Sequence, residues 1–248
     1  MSKKINVVIW NEFRHEKRDP AVAQIYPDGI HAFIRDFLKE DDNLNITLAA
    51  LDDPDQGISD ELLNKTDVLF WWGHMAHGEV DDKLVEKIRN RVYAGKMGLI
   101  VLHSGHHSKV FRSIVGATGN LSWGRNQKEV VWNLMPQHPI AAGIPDHFIL
   151  KSEELYAEPF YIPQPDQLVF GGWYEDGHIF RSGCCFFRGV GKIFYFQPGH
   201  EYCRSFYNPY VQRIIRNAVE WVKPADVGYE IPAGAPQITT KIVDEFNV

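Results

Sequence analysis

Two kinds of hydrophobic pattern alternate through the first hundred residues. Short, unbroken apolar runs have the length of strands: INVVIW (5–10), NITLAAL (45–51), DVLFWW (67–72) and MGLIVLH (97–103). Stretches of helical period lie between them. In DGIHAFIRDFLKE (28–40), Ile30, Phe33, Ile34, Phe37 and Leu38 recur at helical spacing. Asp60 to Asn64 offers a short helix. DDKLVEKIRNRVYAG (81–95) places Leu84, Ile88 and Val92 between an Asp81 N-cap and a Gly95 stop. Strands that alternate with helices pair in parallel through right-handed crossovers. Helices then cover both faces, so the strands are apolar throughout.

The second half is punctuated differently. EVVWNL, QLVFGGWY, GCCFFRG and GKIFYFQPGHEY are strand-like runs broken by Gly and Pro, which predict an antiparallel extension. NPYVQRIIRNAVEWVKP (208–224) predicts a closing helix. Asn208 caps it, Pro209 takes its first turn, and Val211, Ile214, Ile215, Ala218, Val219 and Val222 form its buried stripe. The expected fold is α/β: a mostly parallel sheet with helices on both faces and an antiparallel extension. Residues 1–224 make one domain, and 225–248, spaced by Pro and Gly, make a C-terminal tail.

Charge and composition narrow the partners. The formal charge of −6 leaves no basic excess to neutralise phosphates, so no nucleic acid is expected. No apolar run approaches the roughly eighteen residues of a membrane span, and the N-terminus lacks a signal-type apolar region. A cytoplasmic protein is the expectation. Of the three cysteines, adjacent Cys184 and Cys185 would point to opposite faces of a strand, which suits a reduced compartment. No Gly-x-Gly-x-x-Gly follows the first strand and no P-loop occurs, so no nucleotide cofactor is expected. The 7 Trp, 10 Tyr and 15 Phe suit cores but also sugar platforms and interfaces, which makes a homo-oligomer plausible.

Ligands of open parallel sheets bind outside the carboxyl ends of the strands. Asn11, Glu12, Arg14 and His15 follow the first strand, and His74 and His77 the third. His103, Ser104, His106 and His107 follow the fourth, and His200, Glu201 and Tyr202 follow the last. Seven of the 11 histidines fall in these four turns, which predicts an imidazole-lined cleft. SEELYAEPFY (152–161) adds Glu153, Glu154 and Tyr156, either carboxylate being a candidate acid/base or ligand. Trp71, Trp72, Trp123 and Trp173 are candidates for a stacking wall, with burial the expected fate of Trp71.

Seven segments in order resemble the trehalose-utilisation protein ThuA family: VVIWNEFRHEK, IYPDGIHAFI, DVLFWWGHMAHGEV, GLIVLHSGHHS, HPIAAGI, EELY and GKIFYFQPGH. The resemblance runs from Val7 to Trp221. It implies a flavodoxin-like fold of the class I glutamine amidotransferase type, with an elbow after the fourth strand, and a role in carbohydrate metabolism. Aligned with the amidotransferase elbow, Gly105 and His106 leave His103 at the position of the cysteine nucleophile. Without a thiolate there, a thioester route and glutaminase activity are not expected. His200 corresponds to the amidotransferase histidine.

Two mechanisms suit these residues. His103, Glu154 and His200 would hold a divalent metal such as zinc, which polarises a sugar carbonyl or activates water. Alternatively, His103 and Glu154 shuttle protons on a keto-sugar, Tyr156 donates to an oxyanion, and His200 shares the catalytic cleft. Asn11, His15, His74, Ser104, Trp173 and Glu201 are the expected sugar-binding residues. Both mechanisms predict hydrolysis, elimination or isomerisation of an oxidised glycoside, with a partner dehydrogenase supplying the oxidation. The alternative is a non-catalytic sugar-binding or regulatory module on the same scaffold.

Overall fold

The structure is a computed structural model that describes residues 4–225. The first half runs β1 (Ile5–Asn11), α1 (His15–Arg18), α2 (Pro20–Ile25), α3 (Ile30–Leu38), β2 (Leu44–Ala50), α4 (Asp60–Lys65), β3 (Val68–Trp72), α5 (Asp82–Tyr93), β4 (Gly98–Leu102) and α6 (Lys109–Val115). The second half runs β5 (Ser122–Asn133), β6 (His147–Ala157), β7 (Gln167–Tyr174), β8 (Ile179–Arg188), β9 (Gly191–Phe196) and α7 (Pro209–Val222). The tail expected from 225 onward lies, apart from Ala225, outside the described residues.

All of these strands join one sheet in the order β2-β1-β3-β4-β9-β8-β7-β5-β6. The first five in that order pair in parallel, and every pairing from β9 outward to β6 is antiparallel. The sheet is therefore mixed, with four pairings of each kind, and "mostly parallel" is corrected. The parallel half behaves as its pattern predicts. Successive residues of each strand feed opposite cores: Val7, Ile9, Phe70 and Leu102 pack under α3 and α7, while Val8, Trp10, Trp71 and Val101 pack under α5 and α6. Trp10 and Trp71 stack at 3.8 Å between ring centroids. Cys184 and Cys185 enter opposite cores in the same way, and Cys184, Cys185 and Cys203 are all free and buried.

The antiparallel half departs from its pattern. β5 begins seven residues before the EVVWNL run, and β6 is a strand that the apolar pattern does not reveal. β6 alternates over its first half, burying Phe148 and Leu150, and is then buried on both faces from Glu153 to Ala157. Two adjacent carboxylates in a doubly buried segment read as a surface. β5 and β7 each carry register shifts, between Gly124 and Asn126, Gln127 and Glu129, Leu168 and Phe170, and Phe170 and Gly172. Such bulges bend a strand and raise its twist. The bend has a visible result: Glu154 of the outermost strand meets Gln197, just past β9, whose Nε2 donates to the Glu154 carbonyl at 3.2 Å.

Candidate active site

The carboxyl ends of β1, β3, β4 and β9 share one rim, and their turns surround a cavity of about 510 Å³. Six of the seven strand-end histidines line it: His15, His74, His77, His106, His107 and His200. Glu154 and Tyr156 of β6 close the opposite side, with Trp123 of β5 at the rim. The size suits a small-molecule ligand.

The seventh histidine, His103, stands behind this wall and is fully buried. It turns the chain at the end of β4 with φ of +48°, a left-handed conformation costly for a residue with a side chain. Gly105 makes the turn tight enough: a Cβ there would lie 2.9 Å from Val101 Cγ1 and 3.0 Å from the Trp71 carbonyl oxygen. The imidazole is fixed at both nitrogens. Nδ1 lies 2.8 Å from the Gln197 carbonyl oxygen, to which it donates. Nε2 lies 3.1 Å from Glu154 Oε2 and 3.2 Å from Tyr156 Oη, and the ring stacks on Tyr156 at 4.8 Å. The ring of His200 stands 5.2 Å away. Burial presses the His103 pKa down, but the hydrogen bond it donates to Glu154 and the charges of Glu153, Glu154 and Glu201 outweigh it and hold the group at about 9. Burial raises the Glu154 pKa, yet His103 more than reverses that, so the carboxyl titrates below its ordinary value. The pair is an imidazolium–carboxylate couple whose carboxylate faces the cavity. Burial and the nearby His103 charge push His200 down to about 4, so it is neutral.

Two buried carboxylates shape the surrounding loops. Glu153, one residue from Glu154 and so on the other face of β6, accepts from the backbone N–H of Gly199 and His200 at 2.9 and 3.1 Å and from the Ser205 hydroxyl. Glu12 accepts from the N–H groups of His74, Met75 and Ala76 at 2.8 to 3.0 Å. Glu153 thus positions the His200 loop and Glu12 the His74 loop. A third carboxylate, Glu201, is 1% exposed and meets imidazoles: His74 Nδ1 at 3.0 Å, His15 Nε2 at 3.3 Å and His200 Nε2 at 3.7 Å. Burial raises its pKa, but His74 first, then His200 and His15, bring it down to about 2. Two groups, His103 with Glu154 and His200, and His15 with His74 and Glu201, each place three donor atoms within 4.8 Å of one another.

The expected residues divide. The structure brings together His103, Glu154, Tyr156, His200, His15, His74, Ser104 and Glu201, although the Ser104 hydroxyl donates to the Gly73 carbonyl at 2.9 Å. Of the two adjacent carboxylates, Glu154 is the one that faces the cavity. Asn11 is not brought in: it is fully buried and its side chain bonds Glu16, His31 and the Phe13 N–H, bracing the turn after β1. Trp173 is also outside, half exposed on β7 away from the cavity lining. Trp123, by contrast, pairs with Tyr156 across β5 and β6, so both side chains leave the same face of the sheet. The anchoring roles of Glu12 and Glu153 were not foreseen. For Glu12 the one local signal is its position directly after an apolar strand, which does not distinguish an anchor from a catalytic group, and Glu153, inside β6, has no such signal.

A family model described as ThuA, trehalose utilisation, matches residues 6–222. Among solved structures, a ThuA-like protein from Parabacteroides merdae superposes with a TM-score of 0.67 at 15% identity, covering 96% of each chain. A cytoplasmic protein from Salmonella typhimurium matches with a TM-score of 0.61 at 11% identity, over 88% of this chain and 99% of that one. A glutamine amidotransferase from Thermotoga maritima matches with a TM-score of 0.58 at 11% identity, over 89% and 99%. At these identities the likeness is one of fold. No curated protein sequence matches the chain. Among the described residues, no helix is long and apolar enough to cross a membrane.

Proposed function

The chain belongs to the trehalose-utilisation (ThuA) family, and from that premise we propose that its cavity binds a sugar and breaks down a glycoside already oxidised to a ketone. The observation that carries this reading is the His103–Glu154–Tyr156 cluster at the wall of a sugar-sized cavity. A ketone acidifies the ring C–H beside it. Glu154, held ionised by His103, takes that proton. The Tyr156 hydroxyl, whose ionisation burial opposes strongly, donates to the enolate oxygen. Collapse of the enolate breaks the bond from the neighbouring carbon to the glycosidic oxygen, which leaves as an alcohol on taking the proton held by Glu154, and completes an elimination. His103, which has no exposed surface, acts through Glu154 and Tyr156 as a positioning residue. Oxidation of the sugar falls to a separate dehydrogenase, because no dinucleotide fingerprint follows β1. The setting is cytoplasmic, where three free thiols persist.

A glutaminase is disfavoured by the same elbow. The nucleophile position carries His103, and burial raises the pKa values of Cys184, Cys185 and Cys203 alike. One competing chemistry has its own support. With Nδ1–H donated to Gln197, His103 Nε2 would become a metal ligand on giving up the proton it directs at Glu154, and Glu154 and His200 complete a donor set suited to zinc, which would polarise the ketone. The test is turnover of oxidised against unoxidised trehalose by the parent and by His103→Ala, after elemental analysis for bound metal. Turnover of the oxidised sugar alone, lost in the variant with binding retained, supports the proposal. Binding without turnover in the parent overturns it and leaves a sugar-binding module.

A further inference from the structure

The group that the elimination does not use is His15–His74–Glu201. Glu201 is almost wholly buried, and its side-chain partners are His74, His15 and, farther off, His200. Among the described residues, no lysine or arginine lines the cavity. A buried carboxylate is normally compensated by a guanidinium, an ammonium or several backbone N–H groups. Glu12 and Glu153 follow that rule with backbone donors, and Glu201 does not. It is met instead by ring nitrogens, which become ligands when a cation displaces the protons they direct at the carboxylate.

The placement points the same way. His15 follows β1 and His74 follows β3, and β1 is the strand from which the parallel half runs outward in both directions. The crevice outside that reversal is where open α/β sheets bind ligands. Each histidine offers a different ring nitrogen, Nε2 from His15 and Nδ1 from His74, and both converge on the same oxygen, Glu201 Oε1, at 3.3 and 3.0 Å. Those spacings match adjacent ligands around a cation with bonds of about 2.0–2.2 Å. The backbone of His74 is held independently by Glu12, and the two imidazoles stack at 4.9 Å, so the donors are set before a cation arrives. His74 remains 30% exposed in its side chain, toward the cavity that both histidines line.

We infer that His15, His74 and Glu201 form a divalent-cation site of two imidazoles and one carboxylate, separate from the His103–Glu154 pair and open to the cavity. Imidazole with carboxylate suits zinc and its neighbours better than calcium or magnesium. One extension rests on the function proposed above: the free coordination positions would take the carbonyl or hydroxyl oxygens of the sugar.

The cation itself is tested without any sugar. The full chain, dialysed against chelator, is titrated with zinc by calorimetry and with cobalt(II) by visible absorption. The parent is expected to bind at least one equivalent. His15→Ala and Glu201→Gln should each weaken that equivalent by more than about 100-fold, a larger loss than second-shell changes give. His103→Ala should leave it intact. Because Glu201 is buried and its variant could fail to fold, His74→Ala at the more exposed ligand serves as the second variant, with circular dichroism as the check. An absence of binding by the parent overturns the inference. So does unchanged binding in His15→Ala and His74→Ala, or loss confined to His103→Ala. A zinc site that survives while oxidised trehalose is not turned over would sink the proposed reaction and leave the cation site standing.

Discussion

The two halves of the sheet contribute unlike things to one cavity. The parallel half delivers turns: four strand ends, each releasing polar residues at the same rim, with the backbone of each turn determined by the strand before it. The antiparallel half delivers a side wall, a single outer strand brought round by bulges until Glu154 and Tyr156 face His103. Each half carries a buried carboxylate that fastens a loop, Glu12 in the first and Glu153 in the second. A parallel α/β scaffold thus fixes where a site lies, while the strands appended to it select which side chains meet it. The histidine at the elbow and the carboxylate across from it come from different halves, and the proposed chemistry requires that they touch.

The largest effect should follow from breaking that contact. Glu154→Gln keeps the shape of β6 and removes the proton acceptor. Turnover of an oxidised glycoside is expected to fall by about 10²–10⁴-fold, the usual contribution of a positioned base. Binding of the unreactive sugar should change little. A variant that retains more than a tenth of the parent rate would transfer the role of base to another residue.

The next effect compares the two anchors. Glu153→Ala strands the Gly199 and His200 N–H groups, and Glu12→Ala strands those of His74, Met75 and Ala76. At about 1–3 kcal/mol for each buried donor left unpaired, either change should cost roughly 3 kcal/mol or more. For a chain of this size that lowers the melting temperature by roughly 6–12 °C. Differential scanning calorimetry measures it, and a shift below about 2 °C in either variant would show that water replaces the lost acceptor there. The halves should also differ in what else is lost, cation affinity with Glu12 and turnover with Glu153.

These anchors show where the sequence was legible and where it was not. The parallel half could be read because its strands are buried on both faces, so an unbroken apolar run such as Leu99 to Leu102 suffices to mark one, and the turn after it follows. The convergence of His15, His74, His103 and His200 came from that same logic. β6 could not be read, because a strand with Glu153 and Glu154 at its doubly buried end has no apolar signature, and its placement depends on bulges in two other strands. Asn11 occupies a strand end like the histidines, yet its side chain turns inward to Glu16 and His31. Position after a strand gave the rim but not the direction in which each side chain points.

Acidification should weaken the histidine-rich rim before the carboxylates respond. Burial pushes His77 and His200 down to about 4 and His106 to about 3. Below about pH 6.5 the unfolded chain takes up protons that these folded imidazoles refuse, so stability drops from there toward pH 4, by at most about 1.4 kcal/mol per pH unit for each group. His103 runs the other way. Held at about 9, it contributes fully below pH 6.5 and loses that contribution as the pH rises toward 9. Urea midpoints between pH 4.5 and 9 should pass through a maximum near neutrality. Replacing His106, which donates Nδ1–H to the Gly119 carbonyl at 2.6 Å, with Asn should flatten the acid side of that curve and leave the alkaline side alone.

The smallest effect separates two tryptophans that composition alone treats as equivalent. Trp123 is 73% exposed and Trp173 47%, both on the antiparallel half. Trp123 stands at the cavity rim, opposite Tyr156 in the β5–β6 register, while Trp173 pairs with Val130 and lies outside the lining. A sugar ring presents an apolar face that an indole can cover, and such contacts contribute about 0.5–1.5 kcal/mol. Trp123→Ala should therefore weaken sugar binding roughly 2–10-fold, with stability unchanged because the side chain is mostly in water. Trp173→Ala should leave affinity unaltered within error. Intrinsic fluorescence distinguishes the two without an activity assay: bound sugar should quench or shift Trp123, and the signal should vanish in its variant alone. If Trp173→Ala abolished the response instead, the sugar would lie on the outer face of the antiparallel strands, and the half of the molecule assigned here as a wall would itself be the binding surface.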